Sequence, residues 1–129
     1  MTDTNPAAVL RAAADHLRTL ATNAAHEGRH NWDTGHTLGS RSPVVVDHPT
    51  QPSVLIETFA ARLERVNAFI AAMDPAVGLA LAELLATEAN VADDIRQASP
   101  ELTEEQLAAW VQGPLAIARL LLGEDTGRA

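Results

Sequence analysis

Apolar residues recur along this chain in the three-and-four rhythm of helices, most clearly from Arg65 to Leu85, RVNAFIAAMDPAVGLALAELL. Upstream of the Asp74-Pro75 step, Ile56, Phe59, Leu63, Val66, Ile70 and Met73 fall on one helical face. Downstream, Val77, Leu81, Leu84, Val91 and Ile95 keep the rhythm, with Glu88 as the one polar member. Both stripes are expected to enter a shared hydrophobic core, a ligand groove or a dimer seam being their alternative use. Asp74 suits the cap of the second helix, whose first N–H groups lack partners, and Pro75 suits its first position, where a missing N–H costs nothing. The residue before a proline avoids the α region, so helices over about 54–73 and 75–97 are expected to meet at a sharp corner.

The same reasoning extends to both ends. Asn5-Pro6 repeats the cap-and-proline step and predicts a first helix over about 6–26, with Leu10, Ala13, Leu17, Leu20 and Ala24 on one face and Gly28 ending it. Residues 27–53 lose the helical period and gain glycine, proline and small polar residues. Within them, Val44, Val45 and Val46 read as a strand, and the residues around Trp32 as its partner across a turn. A two-stranded hairpin is marginal alone, so it must pack on helices, with Trp32 as anchor and an acceptor needed for its indole N–H if buried. Thr103 and Gln106 have capping-box spacing ahead of a helix over about 103–122, in which Leu107, Trp110, Val111, Leu115, Ala118, Leu121 and Leu122 continue an apolar face. Gly113-Pro114 is expected to kink or split it, Gly123 to close it, and the tail 124–129 to fray. The sum is a mainly α single domain over 1–129: a four- to five-helix bundle with a small two-stranded β-hairpin between helices 1 and 2. No repeat of solenoid period is present.

Composition narrows the chemistry. The chain has 129 residues, no cysteine and a formal charge of −8, which removes disulfides and thiolate metal sites. Seven acids and six arginines lie in residues 1–70, and ten acids and three arginines in 71–129. An acidic half without a basic stripe repels phosphate, so no direct nucleic-acid binding is expected, whereas docking to a basic protein surface is compatible. The segment MTDTNPAAVLR lacks a basic start followed by an apolar run, and no apolar run approaches the roughly 20 residues that span a bilayer. The expected location is therefore cytoplasmic, with no membrane partner.

One short motif carries candidate chemistry. His26-Glu27-Gly28-Arg29-His30 matches HExxH, and His36 lies six residues beyond His30. On a helix, histidines four apart share a face and can bind Zn²⁺, with the glutamate as general base toward the metal-bound water. The stretch HEGRHNWDTGH is similar to the extended zinc motif of the metzincin proteases, with Asp33 where that family has glycine. The resemblance implies His26, His30 and His36 as zinc ligands and Glu27 as base. Against it, 25 residues of helical pattern precede His26 where metzincins place a sheet. Gly28 sits inside the segment that must be helical, and Met73 ends a patterned helix instead of forming a methionine turn. A looser cluster would add Asp47 and His48; the competing reading is of histidines in a polar loop, with His16 facing solvent from mid-helix.

Read whole, the chain resembles small actinobacterial phage and prophage proteins akin to the Ead-like family. Asn67, Ala68, Phe69, Ile70, Ala71, Pro75, Leu79, Ala80 and Leu81 match a signature close to N-A-x-F-I-A-x-x-x-P-x-x-x-L-A-L, and Trp32 takes the family's tryptophan position. His30-Asn31 replaces the Gly-Pro that precedes that tryptophan. The resemblance implies no known reaction, makes Trp32, Asn67, Phe69, Ile70, Asp74 and Pro75 a structural signature, and places the HEGRH letters in a turn. Asn67, beside the stripe, is expected to tie the hairpin or the junction backbone to its helix, because a buried amide needs partners. The leading functional expectation is a non-enzymatic accessory protein that binds a host or phage protein and needs no cofactor. The alternatives are a zinc-binding protein or zinc-dependent hydrolase using the HEGRH segment, and a homodimer in which a central helix pairs with its copy.

Overall fold

The computed structural model describes residues 5–25, 27–36, 43–48, 54–57 and 63–123. They form α1 (Pro6–Ala24), β1 (Asp33–His36), β2 (Pro43–Val46), β3 (Val54–Glu57), α2 (Leu63–Ala72), α3 (Pro75–Ala98), α4 (Glu104–Trp110) and α5 (Gln112–Leu121). The fold is mainly α, as the patterning predicts, and the sheet between α1 and α2 has three strands rather than two. The chain divides into two compact units, Met1–Leu20 with Ala80–Ala129, and Ala21–Leu79.

The first unit is helical and its core is small. α1 opens as its sequence predicts: the Asn5 side-chain oxygen accepts from the N–H of Ala7 at 3.0 Å and of Ala8 at 3.4 Å, with Pro6 in the first turn. Leu10, Ala13 and Ala14 then meet Leu85, Ala89 and Ala92 of α3, Leu107 of α4, Val111, and Leu115 and Ala118 of α5 in one buried cluster. Two predicted core positions of α1 are corrected, since Leu20 and Ala24 are exposed. The correction on α3 is larger. Val77, Leu84 and Val91 are exposed, and Leu81, Glu88 and Ile95 half-buried, because α3 turns Ala82, Leu85, Ala89 and Ala92 inward. Those four also follow helical spacing, and alanine at three of them leaves room for neighbouring backbones to come close.

Arginines brace this unit at its rim. Arg11 reaches from α1 to Asp93 and, at 2.9 Å, to Asn90. Arg18 meets Asp15 at 3.1 Å and Glu83 at 3.9 Å. Arg96 donates to the Leu102 carbonyl and meets Glu104 at 2.7 Å. These pairs are partly exposed, so each adds at most about 1 kcal/mol. The capping box forms as expected, the Gln106 N–H donating to Thr103 Oγ1 at 3.0 Å and the Thr103 N–H to Gln106 Oε1 at 2.9 Å. The expected helix 103–122 is split at Val111 (φ −120°, ψ 33°), ahead of Gly113-Pro114. Pro114 then falls in the first turn of α5, where an absent N–H is tolerated. Gly123, at φ 73°, closes α5 in the left-handed conformation that glycine adopts without strain.

The second unit sets the sheet against α2. The strands lie in the order β1-β2-β3, both pairs antiparallel, with Thr34 opposite Val45 and Val45 opposite Ile56. The register then shifts so that Val46 faces Val54, leaving Leu55 as an extra residue on β3. This corrects the helix expected over 54–73: Ile56 belongs to a strand, and α2 begins at Leu63. Phe59, like the expected tail 124–129, lies outside the described residues. Val44 and Val45 are buried in β2, and Asn67 and Ala71 are buried on α2, which packs on β1 and β2. No single helix among the described residues is long and apolar enough to cross a membrane.

Candidate functional site

The most elaborate polar arrangement in the second unit is centred on Asp74, between α2 and α3. Its Oδ1 accepts from the N–H of Val77 at 3.0 Å, which caps α3, and its Oδ2 accepts from the N–H of Trp32 at 3.0 Å. The backbone strengthens the joint, since the Ala76 N–H donates to the His30 carbonyl at 2.9 Å and the Gly78 N–H to the Asp74 carbonyl at 2.9 Å. One buried carboxylate therefore starts a helix and holds the segment that leads into β1. Its capping role was legible in the Asp-Pro step; its bond to Trp32, 42 residues away, had no local signal.

Trp32 is half-buried beside this joint. Its indole Nε1 is enclosed and finds no hydrogen-bond acceptor among the described residues, a cost of about 1–3 kcal/mol. An open cleft of about 340 Å³ lies alongside, lined by Trp32, Asp33, Thr34, Ala68, Ala71, Ala72 and Asp74. Both Asp74 oxygens accept from backbone N–H groups, so this carboxylate is engaged in holding the joint.

The HEGRH segment does not continue α1. α1 ends at Ala24, and Glu27 (φ 52°) and Gly28 (φ 73°) both take the left-handed conformation. The helical geometry that would place two histidines on one face is therefore absent at Glu27-Gly28, and the turn implied by the family resemblance is present. His30 uses its Nδ1 on the Gly28 carbonyl, 2.8 Å away, and Arg29 pairs with the buried Asp47 at 3.1 Å. Glu27 is exposed, His36 is exposed at the end of β1, and His26 lies outside the described residues. Among the described residues no three His, Asp or Glu side chains stand where they would hold a metal ion.

The face of α2 expected in the core is corrected as well. Along α2, Val66 is 47% exposed, Phe69 69% and Met73, just beyond it, 49%, whereas Asn67 and Ala71 point into the unit. Positions 66, 69 and 73 share one helical flank, and Arg65 beside them is also exposed. The i, i+4 pair Asn67 and Ala71 was the available signal, because two small residues one turn apart suit a helix lying close on a sheet. Asn67 is buried, Ile70 is half-buried, and Phe69 faces solvent. Comparison with protein-family models, with curated proteins and with solved structures finds no match.

Proposed function

We propose that this chain is a non-enzymatic accessory protein of phage or prophage type, which acts by binding another protein through the outer flank of α2. The observation that carries the reading is the exposure of Val66 and Phe69 on one flank of α2, with Met73 just beyond its end. Large apolar side chains grouped on a surface are characteristic of interaction sites, and aromatic residues are enriched among those that dominate binding energy. The joint at Asp74 supports it, because the bond from the Trp32 N–H to Asp74 ties the chain just past the end of α2 to the segment that leads into β1. Zinc hydrolysis receives no comparable support, since Glu27 and Gly28 form a turn where that chemistry needs a helix.

The test compares the parent protein with Phe69→Glu as baits at micromolar concentration in host lysate. The expected result is a co-purifying protein that is lost with Phe69→Glu and that binds the purified parent directly. Nothing above background on the parent bait, or equal recovery on both, overturns the reading. Elemental mass spectrometry of untagged protein runs alongside, and near-stoichiometric zinc that is lost in His30→Ala would replace this reading with the metal-dependent one.

A further inference from the structure

α3 presents a second unpartnered face, confined to the helical unit. Leu84 and Val91 are seven residues apart, two helical turns, so they lie one above the other, and they are 47% and 38% exposed. Thr87 and Asp94 are exposed on the same line, and Glu88 is half-buried at its margin. Arg11, Arg18 and Arg96 of this unit are each committed to other acids, at Asp93, at Asp15 with Glu83, and at Glu104. Neither Glu88 nor Asp94 meets an arginine among the described residues. Residues 80–129 hold nine acids and three arginines, so the face lies in a negative field.

We propose that the outer face of α3 docks a cationic amphipathic helix of another protein. Apolar residues of the partner would lie on Leu84 and Val91, with its lysine or arginine side chains reaching Glu88 and Asp94. The proposal rests on the protein-binding reading above and adds to it a separate surface and the partner's charge. Charge also argues against a second copy of this chain as occupant. A parallel pair would set Asp94 against its own equivalent in the seam and Glu83 against Glu88 at its edge, as in a coiled coil with like charges at facing positions. An antiparallel pair centred between Leu84 and Val91 brings the two copies of Glu88 together.

The experiment titrates the full-length chain into a labelled synthetic peptide with leucine at heptad seam positions and arginine at the flanks, and into the same peptide with glutamate for arginine. The arginine peptide is expected to bind, more weakly as salt rises, and the glutamate peptide not to bind. Leu84→Ser with Val91→Ser, and Glu88→Gln with Asp94→Asn, should each weaken binding by about tenfold or more. Glu101→Gln with Glu105→Gln, which removes equal charge away from α3, should change it less than about twofold. All substituted positions except half-buried Glu88 are exposed, and circular dichroism checks that helix content is kept. No binding by the parent, or an equal loss in the Glu101/Glu105 pair, overturns the proposal. So does a parent dimer in light scattering that dissociates in the Leu84/Val91 variant. Binding that survives the α3 changes but is lost with Phe69→Glu also overturns it, while leaving the α2 reading intact.

Discussion

α3 and α2 bury different inner faces, a leucine among alanines on α3 and an asparagine with an alanine on α2. On α3 the buried line is three alanines, Ala82, Ala89 and Ala92, with Leu85, and Leu84 and Val91 face out; on α2 the buried positions are Asn67 and Ala71, and Val66 and Phe69, with Met73 just beyond the helix, face out. In both, closeness of backbone approach selects the small face, and the large side chains left outside become available to partners. The sharpest way to break this comparison is a pair of neighbouring truncations. Leu85→Ala should cost about 2–5 kcal/mol in chemical denaturation, because a fully buried leucine leaves a cavity, whereas Leu84→Ala should stay within about 0.5 kcal/mol. Similar losses at the two positions would mean that the inner and outer faces have been assigned wrongly.

The joint between these helices tests how far one carboxylate holds its surroundings. Asp74→Ala removes the cap of α3 and the acceptor of the Trp32 N–H together, for an expected loss of about 2–3 kcal/mol. Asp74→Asn can keep an oxygen toward Val77 but presents an amide nitrogen to Trp32, and should lose about half as much. Equal losses in the two variants would show that the tether to Trp32 carries the effect and that the cap is idle, whereas no loss in Asp74→Asn would show the reverse.

Caps were legible in the sequence because their chemistry is local. Asn5-Pro6, Asp74-Pro75 and the Thr103–Gln106 box each specify a helix start within a few residues, and each is used as read. Which face is buried was not legible, because α3 carries two stripes of equal period and a reading by side-chain size picks Val77, Leu84 and Val91. The strand at Val54–Glu57 was hidden for a related reason: Ile56 fits the helical stripe that runs on to Val66, and only pairing with β2, absent from any local window, makes it a strand. At the candidate site, the turn at Glu27-Gly28 was legible through the glycine and through the family resemblance, while the bond between Asp74 and Trp32 was not.

That turn gives a prediction whose sign decides between two structures. With Gly28 at φ 73° and nothing within 4 Å of an added Cβ, the only effect of Gly28→Ala in the folded state is backbone strain. The left-handed conformation costs an alanine about 1 kcal/mol. Had the HEGRH segment continued α1 as a zinc-binding helix, the same substitution would stabilise the protein by about 1 kcal/mol through helix propensity. The expected outcome is a loss of about 1 kcal/mol by urea titration, and a gain would restore the helical reading of His26 and His30.

The smallest stability effect is expected at the largest exposed side chain of α2. Phe69 is 69% exposed, so Phe69→Glu removes little buried area and places a better helix former mid-helix, and the unfolding free energy should change by less than about 0.5 kcal/mol. Partner recovery should nevertheless be lost, because a charge would enter the centre of an apolar contact. The two readouts separate the roles that a phenylalanine can play. A loss of stability above about 1.5 kcal/mol would make the flank part of the fold's own packing, and α2 would then differ from α3 in burying its large side chains. Stability retained together with binding lost would show that the side chains excluded from packing are the ones the protein uses.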